Sequence, residues 1–417
     1  MHPTASFQHL FYDVLRQRLE ALRAQPPALE ILSDRLSEAR SFALVPCSHY
    51  ARKIAADLRQ FYPGIFSRLI GGFDQNENVN FCSDVQVHPL GKLPEFSPEV
   101  VVAAVSRFYG EILMKLGKLG IPLSQIHTLS ALDDILRGYN PRKLTESINK
   151  VLNHLSDDKS KMDYLLVWIS HLLMDESVLS VYATGSSNLI RIANGSWNYA
   201  GYELRGIYEA DCLEELSEEI YRIPEVEPES GDVVFDLGAY RGDTVAFFEK
   251  YVGPKGHIYA FEPDETNAYY LCQNIETNRF ENVLHVPHGV YNQNGHFMLT
   301  AGEGGGSNLF VLKNGQDTDD VCKVELTTLD LYVNQNSIDK IDFVKADIEG
   351  CELEMLQGGL QTLQRFYPKL ALALYHKLND LIDIPLYLIE NAPEYQVYIR
   401  QRSQRPQATV LYAIRRT

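Results

Sequence analysis

Two apolar segments that each end beside an acid constrain the fold of this chain most strongly. The first is VVFDLGAYRGDT at 233–244, and the second is IYAFEP at 258–263. They read as a buried strand, a glycine-bearing turn, a helix and a second buried strand, which is how a doubly wound α/β sheet builds a nucleotide site. We therefore expect Asp236 and Glu262 at the carboxyl edge of one sheet, where the ligands of such sheets bind.

The turn after the first strand reads D-x-G-A-x-x-G at 236–242, where a dinucleotide-binding fold has G-x-G-x-x-G. A leading carboxylate repels a pyrophosphate and attracts a cation. S-adenosylmethionine (SAM) carries a sulfonium and an ammonium group. The turn therefore predicts a SAM site and argues against a dehydrogenase.

Each residue of this turn has a physical role in the predicted site. Asp236 would hold the cationic methionyl end of SAM, unless it is a structural acid at the strand end or a helix cap. Gly238 and Gly242 leave room for a ligand beside the backbone. Asp243 and Thr244 would cap the following helix and contact the ligand through main-chain donors.

The second strand and the segments after it complete the cofactor site. Glu262 would accept hydrogen bonds from ribose hydroxyls, in a turn stiffened by Pro263. Asn267 either reaches the same site or faces solvent, and His288 either contacts adenine or is a packed surface histidine. The whole predicted cofactor set is Asp236, Gly238, Ala239, Tyr240, Gly242, Asp243, Thr244, Glu262, Pro263, Asn267, His288 and Gly289.

A second dense group of charges, KADIEGCE, occupies 345–352. Asp347 ends a predicted buried strand beside the sulfonium position, with Glu349 and Glu352 nearby and Lys345 as the counter-charge of these acids. Such a set either recruits a divalent cation or caps the next helix. We do not favour a metal ion here, and the sequence leaves any metal ligands unknown.

A candidate proton acceptor follows the next predicted strand, in Tyr375-His376-Lys377. Methyl transfer to an alcohol requires loss of the hydroxyl proton, and a histidine with a pKa near neutral suits that task. His376 is either this base or a structural histidine, and Asp347 is the rival base. The predicted catalytic residues are therefore His376, Asp347 and Glu349.

The first half of the chain reads as a separate α/β module. We predict a helical arm over 1–38, a degenerate Rossmann-like module over 39–140, a helical connector over 141–195 and the SAM-binding domain over 196–417. In the module, the first turn is Pro46-Cys47-Ser48-His49-Tyr50 and has no glycine, so close approach of a phosphate is not expected. Asp74 is then a strand-end or turn residue.

Composition restricts the partners and the compartment. The net charge of −17 argues against nucleic acid and anionic membranes as partners, because both need a cationic face. The run Arg400, Arg402, Arg405 is the one basic candidate, and we expect it on a solvated hairpin face. Six scattered cysteines without metal-ligand spacing suit a reducing compartment, so we predict a cytoplasmic protein.

Several segments of the second half resemble the FkbM family of SAM-dependent methyltransferases. The similar pieces, in family order over 205–415, are VFDLGAYRGDTVAFF, IYAFEPDETN, GGSNLF, VELTTLD, IDFVKADIEGCELEMLQGG and LALALYHKLNDLIDIP. The D-x-E-G-x-E element is typical of this family and not of methyltransferases at large. The resemblance does not extend to the first 195 residues.

The resemblance implies a class I (Rossmann-like) methyltransferase fold and O-methyl transfer to a hydroxyl of a carbohydrate or similar natural product. It also implies that the 236–242 turn and Glu262 bind the cofactor, and that the segment at Asp347 and Glu349 lines the reaction centre. Arg241 stands where the family commonly has a small or polar residue, so we expect it to fold outwards or to pair with Asp243.

A second hypothesis stays open. The chain could be a sugar-nucleotide-binding or partner-binding assembly protein with a vestigial methyltransferase domain. We expect a small-molecule or glycan acceptor and a homo-oligomer formed through the N-terminal region, if one forms. The acceptor and the position methylated cannot be named from the sequence.

Overall fold

The structure is a computed structural model that describes residues 3–24, 27–74, 85–105, 110–182, 189–191, 196–207, 210–301, 307–310, 321–405 and 408–416. The chain divides into two compact units. The first comprises 1–146 and 168–178, and the second comprises 147–167 and 179–417. Of the GGSNLF piece that resembles the family, Gly305 and Gly306 lie outside the described residues. None of the described helices is long and apolar enough to cross a membrane.

The first unit contains a five-stranded parallel sheet in the order β3-β2-β1-β4-β5. The elements up to 138 are α1 (Pro3–Ala24), α2 (Ala28–Ser37), β1 (Phe42–Val45), α3 (His49–Phe61), α4 (Pro63–Phe66), β2 (Leu69–Asp74), β3 (Val87–Pro89), α5 (Leu93–Phe96), β4 (Val100–Val105), α6 (Gly110–Lys118), β5 (Ile126–Ser130) and α7 (Ala131–Gly138). This order and parallel pairing agree with the predicted Rossmann-like module.

Burial on both faces explains why this sheet has no alternation of polar residues. Along β1, Phe42 and Leu44 pack into one apolar cluster, and Ala43 and Val45 pack into the cluster on the opposite face. All six residues of β4 are buried. Strands covered on both faces read as continuous apolar runs, which is the pattern that predicted them.

Two long helices follow, α8 (Pro141–His154) and α9 (Asp158–Leu173), in the segment predicted to be a helical connector. The remaining elements are β6 (Leu189–Arg191), β7 (Trp197–Tyr199), β8 (Tyr202–Leu204), α10 (Ala210–Glu218), β9 (Val233–Leu237), α11 (Asp243–Val252), β10 (His257–Phe261), α12 (Glu265–Asn278), β11 (Val283–Val286), β12 (Gly289–Val290), β13 (Gly295–Ala301), β14 (Ser307–Phe310), β15 (Val321–Thr327), α13 (Leu329–Gln335), β16 (Phe343–Ala346), α14 (Glu352–Gly358), α15 (Leu360–Phe366), β17 (Lys369–Ala373), α16 (Asp380–Asn391), β18 (Tyr395–Gln401) and β19 (Thr409–Arg415).

The main sheet of the second unit has seven strands in the order β11-β10-β9-β16-β17-β19-β18. The first five strands run parallel, and β19 lies antiparallel between β17 and β18. A mostly parallel sheet that closes with an antiparallel hairpin is the fold predicted for this half. Because the strand order reverses beside β9, the carboxyl ends of β9 and β16 form the switch point at which such sheets bind ligands.

The helical segment after β16 is divided into α14 and α15 at Gly358 and Gly359. A Cβ on Gly358 would lie 2.3 Å from the carbonyl oxygen of Tyr291, so this point of the chain is packed against backbone.

The basic run near the end of the chain is not a solvated face. Arg400 is buried, and its guanidinium is 2.6 Å from Oδ2 of Asp157. Arg402 and Arg405 are half-buried. Arg400 therefore forms its ion pair inside the second unit and not on a solvated face.

Candidate active site

The turn after β9 is held against the end of β10 by backbone hydrogen bonds. The amides of Gly238 and Ala239 both donate to the carbonyl of Phe261, at 3.1 and 2.9 Å. Gly238 has φ +79°, and a Cβ there would lie 1.9 Å from the carbonyl oxygen of Asp347. This glycine is therefore required by a close backbone approach between the two loops that end β9 and β16.

Glu262 follows β10 and supports the same turn. Its carboxylate accepts hydrogen bonds from the amides of Tyr240 (3.0 Å) and Asp264 (2.9 Å). Burial raises the pKa of Glu262 to about 8. Each carboxylate oxygen has a second lone pair, so the predicted acceptance from ribose hydroxyls is compatible with these contacts.

Asp236 is fully buried, and its two oxygens have different partners. The hydroxyl of Thr244 donates to Oδ2 at 2.6 Å, and Nζ of Lys345 is 3.2 Å from Oδ1. Lys345 also donates to the carbonyl of Gly238 at 2.6 Å. Lys345 is thus a counter-charge as predicted, but its direct partner is Asp236 of the neighbouring strand.

Asp243 and Thr244 were predicted to cap α11, and this was wrong. The helix begins at Asp243, the residue before it is Gly242 with φ +92°, and no side chain caps it. Asp243 is buried, and its Oδ1 has no hydrogen-bond partner. Burial raises the pKa of Asp243 to about 7.

The departure of Arg241 from the family pattern suggested that its side chain folds outwards or pairs with Asp243. The structure shows neither arrangement. Its Nε donates to Oδ1 of Asn267 at 3.1 Å, and its guanidinium lies 4.9 Å from the ring centres of both Tyr240 and Tyr270. Asn267 is buried, so its side chain does not face solvent, which was one of the two alternatives for this residue. Arg241 fixes the outer side of the turn.

The residues predicted to contact adenine lie after β11. Nε2 of His288 is 3.4 Å from the exposed carboxylate of Glu325, and the ring is partly exposed. A Cβ on Gly289 would lie 2.4 Å from Cδ2 of Leu326, so the strand packs closely there. The same added Cβ would lie 3.7 Å from Cγ of Pro263.

His376 is surrounded by carboxylates. Its Nδ1 is 3.1 Å from Oε1 of Glu352, and its Nε2 is 3.3 Å from Oδ1 of Asp347 and 3.6 Å from Oε2 of Glu349. Burial lowers the pKa of His376, but Glu352, Asp347 and Glu349 together raise it to about 9. The structure therefore brings together the three predicted catalytic residues, with Asp347 and Glu349 on the Nε2 side of the His376 ring.

Glu352 orients this histidine from a fully buried position. Its Oε1 also accepts from the amide of Ile348 at 2.9 Å, which ties the loop at 348–351 to the start of α14. Glu349 in that loop has φ +55°, and burial raises the pKa of its carboxyl to about 6. Of the two acids expected to stabilise this helix start, Glu352 is the one that accepts the backbone hydrogen bonds.

A metal ion is geometrically compatible with this centre. One ligand atom each from Asp347, Glu352 and His376 lies within 4.8 Å of the others. The imidazolium already supplies a positive charge among these acids, so the cluster does not need an ion for charge balance.

Sequence reasoning missed three residues that contact Asp347 or its surroundings. Tyr221 donates to Oδ2 of Asp347 at 2.7 Å and is 3.3 Å from Oε2 of Glu215, and Tyr375 lies 3.5 Å from Oε1 of Glu215. Glu215 and Tyr221 lie N-terminal to β9, in or just after α10. The only sequence signal was the acid-rich composition of that helix.

Comparison with known proteins supports a methyltransferase domain. The model of the methyltransferase FkbM domain matches residues 236–399. The crystal structure of methyltransferase FkbM from Methylobacillus flagellatus KT has a TM-score of 0.54 and 18% identity, over 97% of this chain and 99% of that chain. This likeness extends over both units and shows the fold.

Other likenesses are more distant. Fibrillarin from Aeropyrum pernix, in complex with natively bound SAM, has a TM-score of 0.35 and 12% identity, over 54% of this chain and 93% of that chain. No curated protein matches the sequence significantly.

Proposed function

We propose that residues 236–399, an FkbM methyltransferase domain, transfer a methyl group from SAM to a hydroxyl oxygen of a carbohydrate or related natural product. The domain match supports methyl transfer, and the hydroxyl acceptor is our extension of it. The observation that carries the proposal is the excess of carboxylates over cations at the carboxyl edge of β9 and β16. Asp236, Asp243 and Asp347 lie there beside one buried lysine, Lys345.

The residues at this edge fit SAM. The unpartnered Oδ1 of buried Asp243 carries a desolvation cost that a cationic ligand would offset. A Cβ on Gly238 or Gly242 would meet Asp347 or Leu271, so these two glycines shape the turn by packing against the protein. Glu262 has free lone pairs for ribose hydroxyls, as described above. When bound, SAM supplies the methyl group on a positively charged sulfur.

The protein's own part is to align the acceptor and take its proton. Nε2 of His376 is the candidate proton acceptor, because Glu352 occupies the Nδ1 side of the ring. The imidazole must first be neutral, and a cation bound beside it would lower the pKa of His376 by repulsion between like charges. Asp347, hydrogen-bonded by Tyr221, remains the alternative acceptor.

The test combines binding with transfer. We expect calorimetry to detect binding of SAM and of S-adenosylhomocysteine (SAH), and labelled SAM to methylate a member of a panel of glycans and polyketide alcohols. The variant His376→Asn should keep SAM binding and lose methyl transfer by on the order of a hundredfold or more. Absence of SAM binding would overturn the proposal, and label found on nitrogen or carbon acceptors only would overturn its hydroxyl specificity.

A further inference from the structure

Glu215, on α10 outside the matched residues 236–399, shares a hydrogen-bonded group with the predicted reaction centre. The hydroxyl of Tyr221 is 2.7 Å from Oδ2 of Asp347 and 3.3 Å from Oε2 of Glu215. A phenol has one proton and can donate to only one of two carboxylates. The shorter contact assigns that proton to Asp347, and the hydroxyl of Tyr375 is 3.5 Å from Oε1 of Glu215, so both hydroxyl contacts of Glu215 are long and stabilise its negative charge only weakly.

The charges around Glu215 favour a protonated carboxyl. The groups that act on it include Asp347, Asp243, Lys345 and Tyr221, and the hydroxyl of Tyr375 lies beside it. Lys345 is the only cation among them, and it is also 3.2 Å from Asp236. Burial, then Asp347 and Asp243, raise the pKa of Glu215 well above its usual range. Burial also opposes ionisation of Asp347, but Lys345 and His376 hold its pKa below the usual value.

We propose that Glu215 is a cofactor-recognition carboxylate that releases its proton to solvent when the sulfonium of SAM binds at this edge. The inference rests on the proposed function. SAM carries two positive charges and one negative charge, and SAH lacks the sulfonium and is neutral overall. Only the O–H bond of the Glu215 carboxyl breaks, and the ionised carboxylate then balances the additional positive charge. Discrimination between SAM and SAH therefore comes partly from a helix that precedes the matched domain.

The experiment measures protons released on binding to the full-length chain. Titration calorimetry with SAM and with SAH at pH 7.5, in buffers of different ionisation enthalpy, gives the number of protons exchanged for each ligand. We expect SAM binding to release about one proton more than SAH binding. The variant Glu215→Gln should reduce this difference by about one proton, with any release that remains coming from His376, and should weaken SAM binding more than SAH binding, on the order of tenfold. Glu276→Gln, on the exposed face of α12, is the matched control and should change neither.

The outcomes separate this inference from the proposed function. Binding of both ligands with equal proton release by the unaltered protein would overturn the role of Glu215 and leave SAM binding intact. The same conclusion would follow if Glu215→Gln kept the difference. Absence of binding by either ligand would overturn both. The comparison of SAM with SAH in the unaltered protein needs no variant, so it stands even if Glu215→Gln fails to fold.

Discussion

At the scale of single residues, the candidate site is built as much by backbone contacts as by side-chain chemistry. Gly238 allows the turn after β9 to touch the carbonyl of Asp347, and Glu262 fixes the same turn by accepting from the amide of Tyr240. Two acids that face this edge, Asp243 and Glu262, are buried with raised pKa values. Carboxyl groups whose pKa is raised by burial at the ligand edge of a sheet are typical of functional sites.

We expect Gly238→Ala to destabilise the second unit and abolish SAM binding, because the new Cβ would overlap the carbonyl of Asp347 and φ is +79°. Gly231→Ala is the matched control, since Gly231 has φ +88° and nothing within 4 Å of the added Cβ. The control should cost only about 1–2 kcal/mol for the left-handed backbone. Thermal unfolding and calorimetric SAM titration check both variants. Equal effects of the two substitutions would contradict the close-contact argument.

The pKa of His376 gives the pH dependence a defined sign. Because the imidazolium must lose its proton before it can accept one, kcat/KM should rise with pH and level off near pH 9. Glu352→Gln removes the first of the carboxylates that raise this pKa, so the break should move to lower pH. Glu354→Gln, on the same helix but not among the groups acting on His376, should leave the profile unchanged. A flat profile between pH 6 and 9 would assign the proton to Asp347 instead.

Chelation tests whether the acids around His376 hold a metal ion. The imidazolium already balances part of their charge, so methyl transfer should persist after treatment with EDTA. Loss of activity on treatment, restored by added Mg²⁺ or Zn²⁺, would show that Asp347, Glu352 and His376 are ligands.

At the scale of elements, parallel register decides which charges meet. Lys345 on β16 is the register partner of Asp236 on β9, so two residues 109 positions apart in the chain form a buried ion pair. The terminal hairpin shows the same effect. Arg400 on β18 meets Asp157, just before α9, and donates to Ser160 in the first turn of that helix.

Removing Arg400 should therefore destabilise the second unit. We expect Arg400→Met to lower the free energy of unfolding by about 2 kcal/mol, because the partly exposed Asp157 loses its charged partner and Ser160 loses a hydrogen bond. The half-exposed pair of Lys150 with Glu390 gives the control, and Lys150→Met should cost less than about 1 kcal/mol. Denaturant unfolding measures both. If the double variant Arg400→Met with Asp157→Asn recovers no stability, the loss came from packing and not from the unpaired charge.

At the scale of the whole molecule, the chain divides into two compact units, and the described apolar clusters include two in the first unit and one in the second. The first unit has Rossmann-like strand order, but in its turn after β1 the amide of Cys47 donates to Asp74 at 2.9 Å. Asp74 thus ends β2 and supports this turn, as predicted for a strand-end or turn residue. The predicted cofactor residues all lie in the second unit.

The predicted cofactor residues all belong to the second unit, so we expect a ligand to stabilise that unit selectively. We expect calorimetry of the full chain to show two unfolding transitions, with SAH raising the temperature of one. At a ligand concentration of 100 times Kd, the stabilisation should be about 2.7 kcal/mol. A sugar nucleotide should shift neither transition. A single transition that moves as a whole would show that the two units unfold cooperatively, and a shift with sugar nucleotide would favour the assembly-protein hypothesis.

The fold of both sheets could be predicted from the sequence because buried parallel strands leave continuous apolar runs separated by helix-period segments. The ligand edge could be predicted as well, since strand ends in one sheet meet at the same edge and the acids at 236, 262 and 347 mark those ends. These signals are local in the chain, so they survive without any knowledge of packing.

The partners of each charge were decided only by the tertiary structure. Lys345 pairs with Asp236, Arg241 with Asn267 and Arg400 with Asp157, and none of these pairs is close in sequence. Glu215 and Tyr221 reach Asp347 from a helix and turn that no motif marks. Which side chains meet depends on the register between neighbouring strands and on which helix packs at the carboxyl edge of the sheet. Local sequence therefore determined the edge of the sheet and its excess of acids, and long-range packing decided which acids keep their protons.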